Sequence, residues 1–160
     1  MTVNSDIKFL VLDVDGVMTD GGMYYTESGE EFKRFDTKDG RGIIELQKSG
    51  IPVGLISSGF KSKIIEGRSK TLGIEHYYVG TDAKINILTQ WCEQLGFDLQ
   101  QVAYIGDDVN DRDIIKAVGL SACPADAVPV IKEIVTVVLK KNGGYGCIRE
   151  FIEEHIKFVL

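Results

Sequence analysis

No stretch of these 160 residues is long and apolar enough to cross a bilayer, which takes about 20 consecutive apolar residues. Residues 1–9 (MTVNSDIKF) carry no hydrophobic leader either, so a cytoplasmic protein without membrane contact is expected. Positive charge is in the minority. The 18 Lys and Arg face 24 Asp and Glu, a net charge of −6 that argues against nucleic acid as a partner. Cysteine is confined to Cys92, Cys123 and Cys147, odd in number and without ligand spacing, which read as reduced and mostly buried thiols. His76 and His155 are isolated and receive no role. Neither a repeat nor a low-complexity linker divides the chain. Residues 1–160 therefore read as one domain, long enough to bury a core.

What the chain does have is concentrated early. Phe9 to Leu12 is an apolar run of strand character, followed by Asp13, Val14, Asp15, Gly16 and Thr19. Side chains alternate along a strand, so Asp13 and Asp15 leave it toward the same side. Two acids that close repel, and a cation or a shared proton makes the pair tolerable. Magnesium suits the need, because it takes hard oxygen ligands and its sites typically use one or two carboxylates. Gly16 permits a tight turn and a close approach to a ligand. The segment outlines a phosphoryl-transfer site; a buried strand with an acidic turn is the plainer alternative.

Three further polar clusters follow in order. Ile51 to Ile56 is a second apolar run, ending in Ser57, Ser58 and Gly59. Lys84 opens a helical pattern after Thr81, Asp82 and Ala83. Val102 to Ile105 is a third short run, ending in Gly106, Asp107, Asp108, Val109, Asn110 and Asp111. In an open parallel sheet, ligands bind at the carboxyl ends of strands, so these loops can converge on one crevice. The elements alternate accordingly. Strands are expected at 7–13, 52–56, 77–79, 102–105, 120–122 and 135–139. Helices are expected at 42–49, 61–72, 83–95, 111–118, 128–133 and 147–156. A hairpin is expected from 23–26 and 31–35, around Glu27 to Glu30. Strand–helix alternation means a mostly parallel sheet with helices on both faces.

The residues Asp13-Val14-Asp15-Gly16, Ser58-Gly59, Lys84 and Gly106-Asp107-Asp108 with Asp111 resemble the four motifs of the haloacid dehalogenase superfamily of phosphatases. Several further segments are similar to the 3-deoxy-D-manno-octulosonate 8-phosphate phosphatase family, which includes relatives acting on nine-carbon sugar acid 9-phosphates. They are Asp20 to Gly22, Phe35 to Gly42, Ser62-Lys63, Thr71 to Ile74, Val102 to Asp108 and Gly143 to Gly146. The resemblance implies an α/β fold, a Rossmann-like three-layer sandwich without a cap domain and with a protruding hairpin after the first motif. It implies an Mg2+-dependent phosphomonoesterase acting on a small anionic sugar phosphate. Asp13 is then the nucleophile and Asp15 the acid and base. Ser58, Gly59 and Lys84 bind phosphate, and Ser57 is an alternative to Ser58. Asp13, Asp15 (through its carbonyl) and Asp107 hold the metal. Asp108 and Asp111 support them, with a helix cap as the other reading of Asp111.

The gaps between motifs are too short for a cap domain, so something else has to cover the site. The hairpin would expose Tyr24, Phe32 and Phe35, and the resemblance implies a homotetramer assembled through residues 23–35. The glycine-rich turn Asn142 to Gly146 is either a second lid, which the resemblance favours, or a plain helix-entry loop. A sugar acid also needs a cation for its carboxylate. Arg68 fits the family pattern, and Lys61, Lys63 and Arg41 are other candidates. Phe60 stands where octulosonate phosphatases typically carry arginine and nine-carbon relatives can carry glutamate. The octulosonate 8-phosphate is the leading substrate, with a nonulosonate 9-phosphate behind it. Two other classes are a phosphomutase, which normally needs a cap to exclude water, and a non-catalytic tetramerisation module, which would tolerate loss of the motif acids.

Overall fold

The computed structural model describes residues 6–157; residues 1–5 of the amino-terminal segment lie outside them. Six strands form one parallel sheet: β1 (Phe9–Leu12), β4 (Val53–Ser58), β5 (His76–Gly80), β6 (Val102–Ile105), β7 (Leu120–Cys123) and β8 (Val137–Val138). Their spatial order is β5-β4-β1-β6-β7-β8, with β1 central between β4 and β6. Strand alternation sorts the apolar side chains into two cores. Leu10 and Leu12 pack with α1 (Thr37–Lys48), α2 (Lys63–Leu72) and α6 (Cys147–His155) through Ile43, Ile65 and Phe151. Phe9 and Val11 face α3 (Lys84–Leu95), α4 (Arg112–Ala117) and α5 (Pro129–Lys132) through Leu88, Ile114 and Ile131. The result is the expected three-layer sandwich. Strands buried on both faces explain why they read as continuous apolar runs.

No cap-sized unit interrupts it. Between the first two motifs lie only the ribbon of β2 (Tyr24–Tyr25) and β3 (Glu31–Phe32), then α1. The ribbon's base is closed by an antiparallel bridge between Thr19 and Phe35. Its aromatics meet the expectation in part. Phe32 is exposed, with Tyr24 stacked on it, and Tyr25 is exposed as well, whereas Phe35 turns inward against the core beneath the Arg68 guanidinium.

α1 begins five residues before the expected Gly42, because the Asp36 side chain accepts from the Lys38 and Asp39 backbone N–H groups and caps the helix. Asp39, one turn in, does the same for another helix. Its carboxylate is 3% exposed and accepts from the N–H groups of Gly146 and Arg149, at 3.3 and 2.8 Å, where α6 starts without a cap of its own. Burial pushes the Asp39 carboxyl from 3.8 up to about 6, against the pull of those N–H donors. Since the folded value lies above the unfolded one, the folded state binds the extra proton, and stability falls as pH rises between them. Asp39→Asn is expected to remove on the order of 2 kcal/mol of the stability lost between pH 4 and 7. Urea unfolding of the metal-free protein across that range measures it, and parallel pH profiles for the two proteins would deny Asp39 the effect.

The glycine-rich turn leads directly into α6. A Cβ on Gly143 would stand 1.8 Å from the Gly16 carbonyl oxygen, and Gly144 N–H donates to Val17 O at 3.0 Å. The turn is wedged against the backbone of residues 16–20 and braces that loop.

Candidate active site

β1 delivers Asp13 at its carboxyl end, where the chain leaves the sheet in a tight turn over Val14–Met18. Gly16 takes φ +85°, and a Cβ there would meet Asp107 Oδ2 at 2.0 Å, so only glycine lets the two loops close on each other. Thr19 Oγ1 accepts from the Gly16 and Gly21 N–H groups at 3.2 Å each and pins the turn.

Lys84, first residue of α3, is buried and reaches back under the sheet end. Its Nζ donates to Asp13 Oδ1 at 2.6 Å and to Asp111 Oδ1 at 2.7 Å. Asp111 is fully buried. It accepts from the Tyr104 hydroxyl at 2.6 Å and, through Oδ2, from Asp107 N–H at 2.9 Å and Asp108 N–H at 3.3 Å. Its side chain makes no cap bond to α4. Asp111 instead ties Lys84 to the loop that carries Asp107, and Asp108 caps the turn Val109–Asp111 through its own bond to Val109 N–H.

One carboxylate oxygen from each of Asp13, Asp107 and Asp111 lies within 4.8 Å of the others. Three acids face the single ammonium of Lys84, and the imbalance appears in the proton affinity of Asp13 and Asp107. Burial, then Asp111, hold the Asp13 carboxyl well above its usual range, with Lys84 opposing. Burial also pushes Asp107 up to about 6. Lys84 is displaced upward: burial works against its charge, but Asp13 and Asp111 outweigh it. A hard divalent cation would relieve these acids, and an all-oxygen donor set is what Mg2+ takes. The residues fit such an ion.

Asp15 lies outside this knot. It is half-exposed and accepts from Lys33 Nζ at 2.7 Å, yet it lines the same crevice as Asp13, Gly16, Ser58, Asp107, Asp108 and Asn110. Ser58 faces that crevice and accepts from Asn110 Nδ2 at 3.2 Å, whereas Ser57 is buried beside it, which favours Ser58 as the motif hydroxyl. Gly59 and Lys61 line the adjoining cavity. Arg68 is set elsewhere. Its guanidinium lies between α2 and α1, over the Phe35 ring and 3.4 Å from Asp36 O, and it lines neither cavity of the described chain. Sequence reasoning passed over Tyr104, Lys33 and Glu31. The alternation of Glu31 and Lys33 along the hairpin was the available signal for the last two.

A sheet end that gathers Asp13, Asp15, Asp107 and Asp111 with a hydroxyl and a buried lysine defines a class. The sequence model of haloacid dehalogenase-like hydrolases matches residues 78–152. The 3-deoxy-D-manno-octulosonate 8-phosphate phosphatase of Salmonella typhi is 41% identical over 150 residues, 94% of this chain and 79% of that protein. The crystal structure of the Yersinia pestis enzyme of that name superposes with a TM-score of 0.90 at 41% identity, covering 93% of this chain and 80% of that one. The Moraxella catarrhalis enzyme, in complex with magnesium, phosphate and KDO, gives 0.89 at 33% identity, covering 93% and 85%. The chain belongs to the 3-deoxy-D-manno-octulosonate 8-phosphate phosphatase family of haloacid dehalogenase-like hydrolases, and it is a phosphatase. No helix among the described residues is long and apolar enough to cross a membrane.

Proposed function

We propose that this single-domain protein hydrolyses the phosphomonoester of a 2-keto-3-deoxy sugar acid, 3-deoxy-D-manno-octulosonate 8-phosphate foremost, in the cytoplasm. The observation that carries the reading is the Asp13 carboxylate, buried yet open to the crevice and held at 2.6 Å by Lys84. Asp13 attacks phosphorus in line and forms an aspartyl-phosphate, so one hard displacement becomes two easier ones. Asp15 gives a proton to the leaving sugar oxygen and later takes one from the water that hydrolyses the intermediate. Ser58 and Lys84 donate to the phosphoryl oxygens. Asp13, Asp107 and the Asp15 carbonyl would hold Mg2+, which when bound neutralises charge on those oxygens. Asp111 keeps Lys84 aimed, since it shares the same ammonium.

The open crevice is covered, in this reading, by a second copy. Met23, Tyr25 and Phe60 are exposed along the adjoining cavity and Phe32 along a groove beside it, apolar surface that suits homotetramer assembly through the hairpin. Phe60, 91% exposed, matches neither the arginine of the octulosonate enzymes nor the glutamate of the nine-carbon relatives, so a nonulosonate 9-phosphate stands as the second substrate to test.

Phosphate release from octulosonate 8-phosphate, nonulosonate 9-phosphates and hexose phosphates, with Mg2+ or with a chelator, tests the proposal. We expect strong preference for one keto acid and loss of turnover on chelation. Equal, feeble turnover of all would reject the sugar-acid substrate. No turnover from an intact tetramer would favour the non-catalytic module.

A further inference from the structure

Lys33 is the feature of the crevice that the four motifs leave unused. It stands one residue past β3 on the two-stranded ribbon, yet its side chain is only 11% exposed. Lysine so covered is uncommon without a partner, and here it has two. Nζ donates to Asp15 Oδ1 at 2.7 Å and to Glu31 Oε1 at 3.3 Å. An ammonium has three donors, so one remains for a ligand. Lys33 and Lys61 line a cavity of about 370 Å3 together with Asp15, Glu31, Ser58 and Gly59. They are the only bases among its lining residues; Lys61 is 57% exposed and 3.5 Å from Glu31. Arg41 is taken by Glu45 at 2.6 Å and Arg68 lies against α1.

We propose that Lys33 is a specificity-determining residue, receiving the second anionic group of the substrate, a carboxylate, and releasing Asp15 toward the leaving oxygen as it does so. This rests on the reading of the substrate as a phosphorylated sugar acid. In the free protein, Asp15 occupies the place of that carboxylate: the same group, with the same charge, at hydrogen-bond distance from the ammonium. A pair with one half-exposed member is weakly held, so an incoming carboxylate competes for Lys33 readily. Two bases and two acids balance within the cavity before the ligand arrives. A substrate carboxylate that displaces Asp15 keeps Lys33 paired, and the freed Asp15 carboxylate takes a proton from solvent, which it then gives to the leaving oxygen. A phosphate ester of an uncharged sugar has no second anion to exchange, and the Lys33–Asp15 pair stays closed. Recognition of one end of the substrate is thereby coupled to catalysis at the other.

The test compares kcat/KM for a 2-keto-3-deoxy sugar acid phosphate with that for a phosphate ester of an uncharged hexose, in the wild type, Lys33→Met and Lys33→Arg. Lys33→Met is expected to lose about 10- to 100-fold on the acid ester, the scale of one charge-assisted hydrogen bond, and less than about threefold on the hexose ester. Lys33→Arg is expected to keep most of the preference. Equal losses on both esters, or a preference untouched in Lys33→Met, would overturn the role of Lys33 alone. A wild type without preference would overturn the sugar-acid reading and this role with it. A second measurement needs no variant. The dephosphorylated sugar acid is expected to protect Lys33 from reductive methylation, read by peptide mass, where a neutral sugar does not. Equal protection by both would also overturn the role.

Discussion

Asp13→Asn is expected to lower phosphate release by on the order of 10^4-fold or more, the scale on which a covalent nucleophile is missed, while the sheet stays folded. Asparagine keeps the shape and still offers Lys84 an acceptor, so the buried ammonium is not orphaned. The variant also removes a burden. Burial and Asp111 disfavour the Asp13 carboxylate in the metal-free protein, and an amide carries no such charge. Its melting temperature without metal should therefore equal or exceed that of the wild type. Mg2+ should raise the wild-type value by mass action and leave Asp13→Asn unmoved. Thermal melts with and without Mg2+, beside phosphate release, check both parts. An active Asp13→Asn protein would remove Asp13 from the chemistry, and an inactive, unfolded one would make its role structural.

Lys84→Met is expected to carry the largest loss of stability. It leaves Asp13 and Asp111 facing each other, 5% and 0% exposed, with their shared cation gone. Breaking a buried pair from one side costs about 3–5 kcal/mol, because the remaining charge has no compensation. Asp13, already held above its usual range, is then pushed further toward protonation. Its folded value rises further above the unfolded one, so the deficit should be smaller near pH 5 and grow toward pH 8. Adding Asp111→Asn should restore part of the loss, since the two residues share one network. Turnover should fall by about 10^2- to 10^3-fold in either background, as expected when a donor to the phosphoryl oxygens is lost. Urea unfolding at two pH values and steady-state kinetics measure these effects. A Lys84→Met protein of wild-type stability would mean that the ammonium is no keystone.

The parallel core was legible because its strands are buried on both faces and therefore read as apolar runs with polar ends. That pattern places Asp13, Ser58 and Asp107 at the carboxyl end of the sheet from sequence alone. Lys84 followed from motif order, since nothing in its own neighbourhood separates it from a solvated helix lysine. The start of α1 was hidden because Thr37 to Arg41 shows no apolar periodicity; the Asp36 cap supplies what periodicity does not. Tyr104 was hidden for a different reason. It reads as a core aromatic within β6, and only the fold brings Asp111 to its hydroxyl. Lys33 is 18 residues from Asp15 along the chain, on a ribbon whose tilt decides where the ammonium lands. The bend of a short hairpin is a property of packing, not of pattern. Arg68 shows the converse: the local sequence matched, but the helix packing of α2 on α1 turned the guanidinium away from the crevice of its own chain.

The central claim is that phosphorus passes through Asp13. Acid quenching during turnover of octulosonate 8-phosphate with Mg2+, followed by peptide mass spectrometry, tests it most directly. One phosphoryl group on Asp13, absent from Asp13→Asn and accumulating in Asp15→Asn, is the predicted result. Full turnover with no phosphoryl group on Asp13, in the wild type and in Asp15→Asn alike, would contradict it.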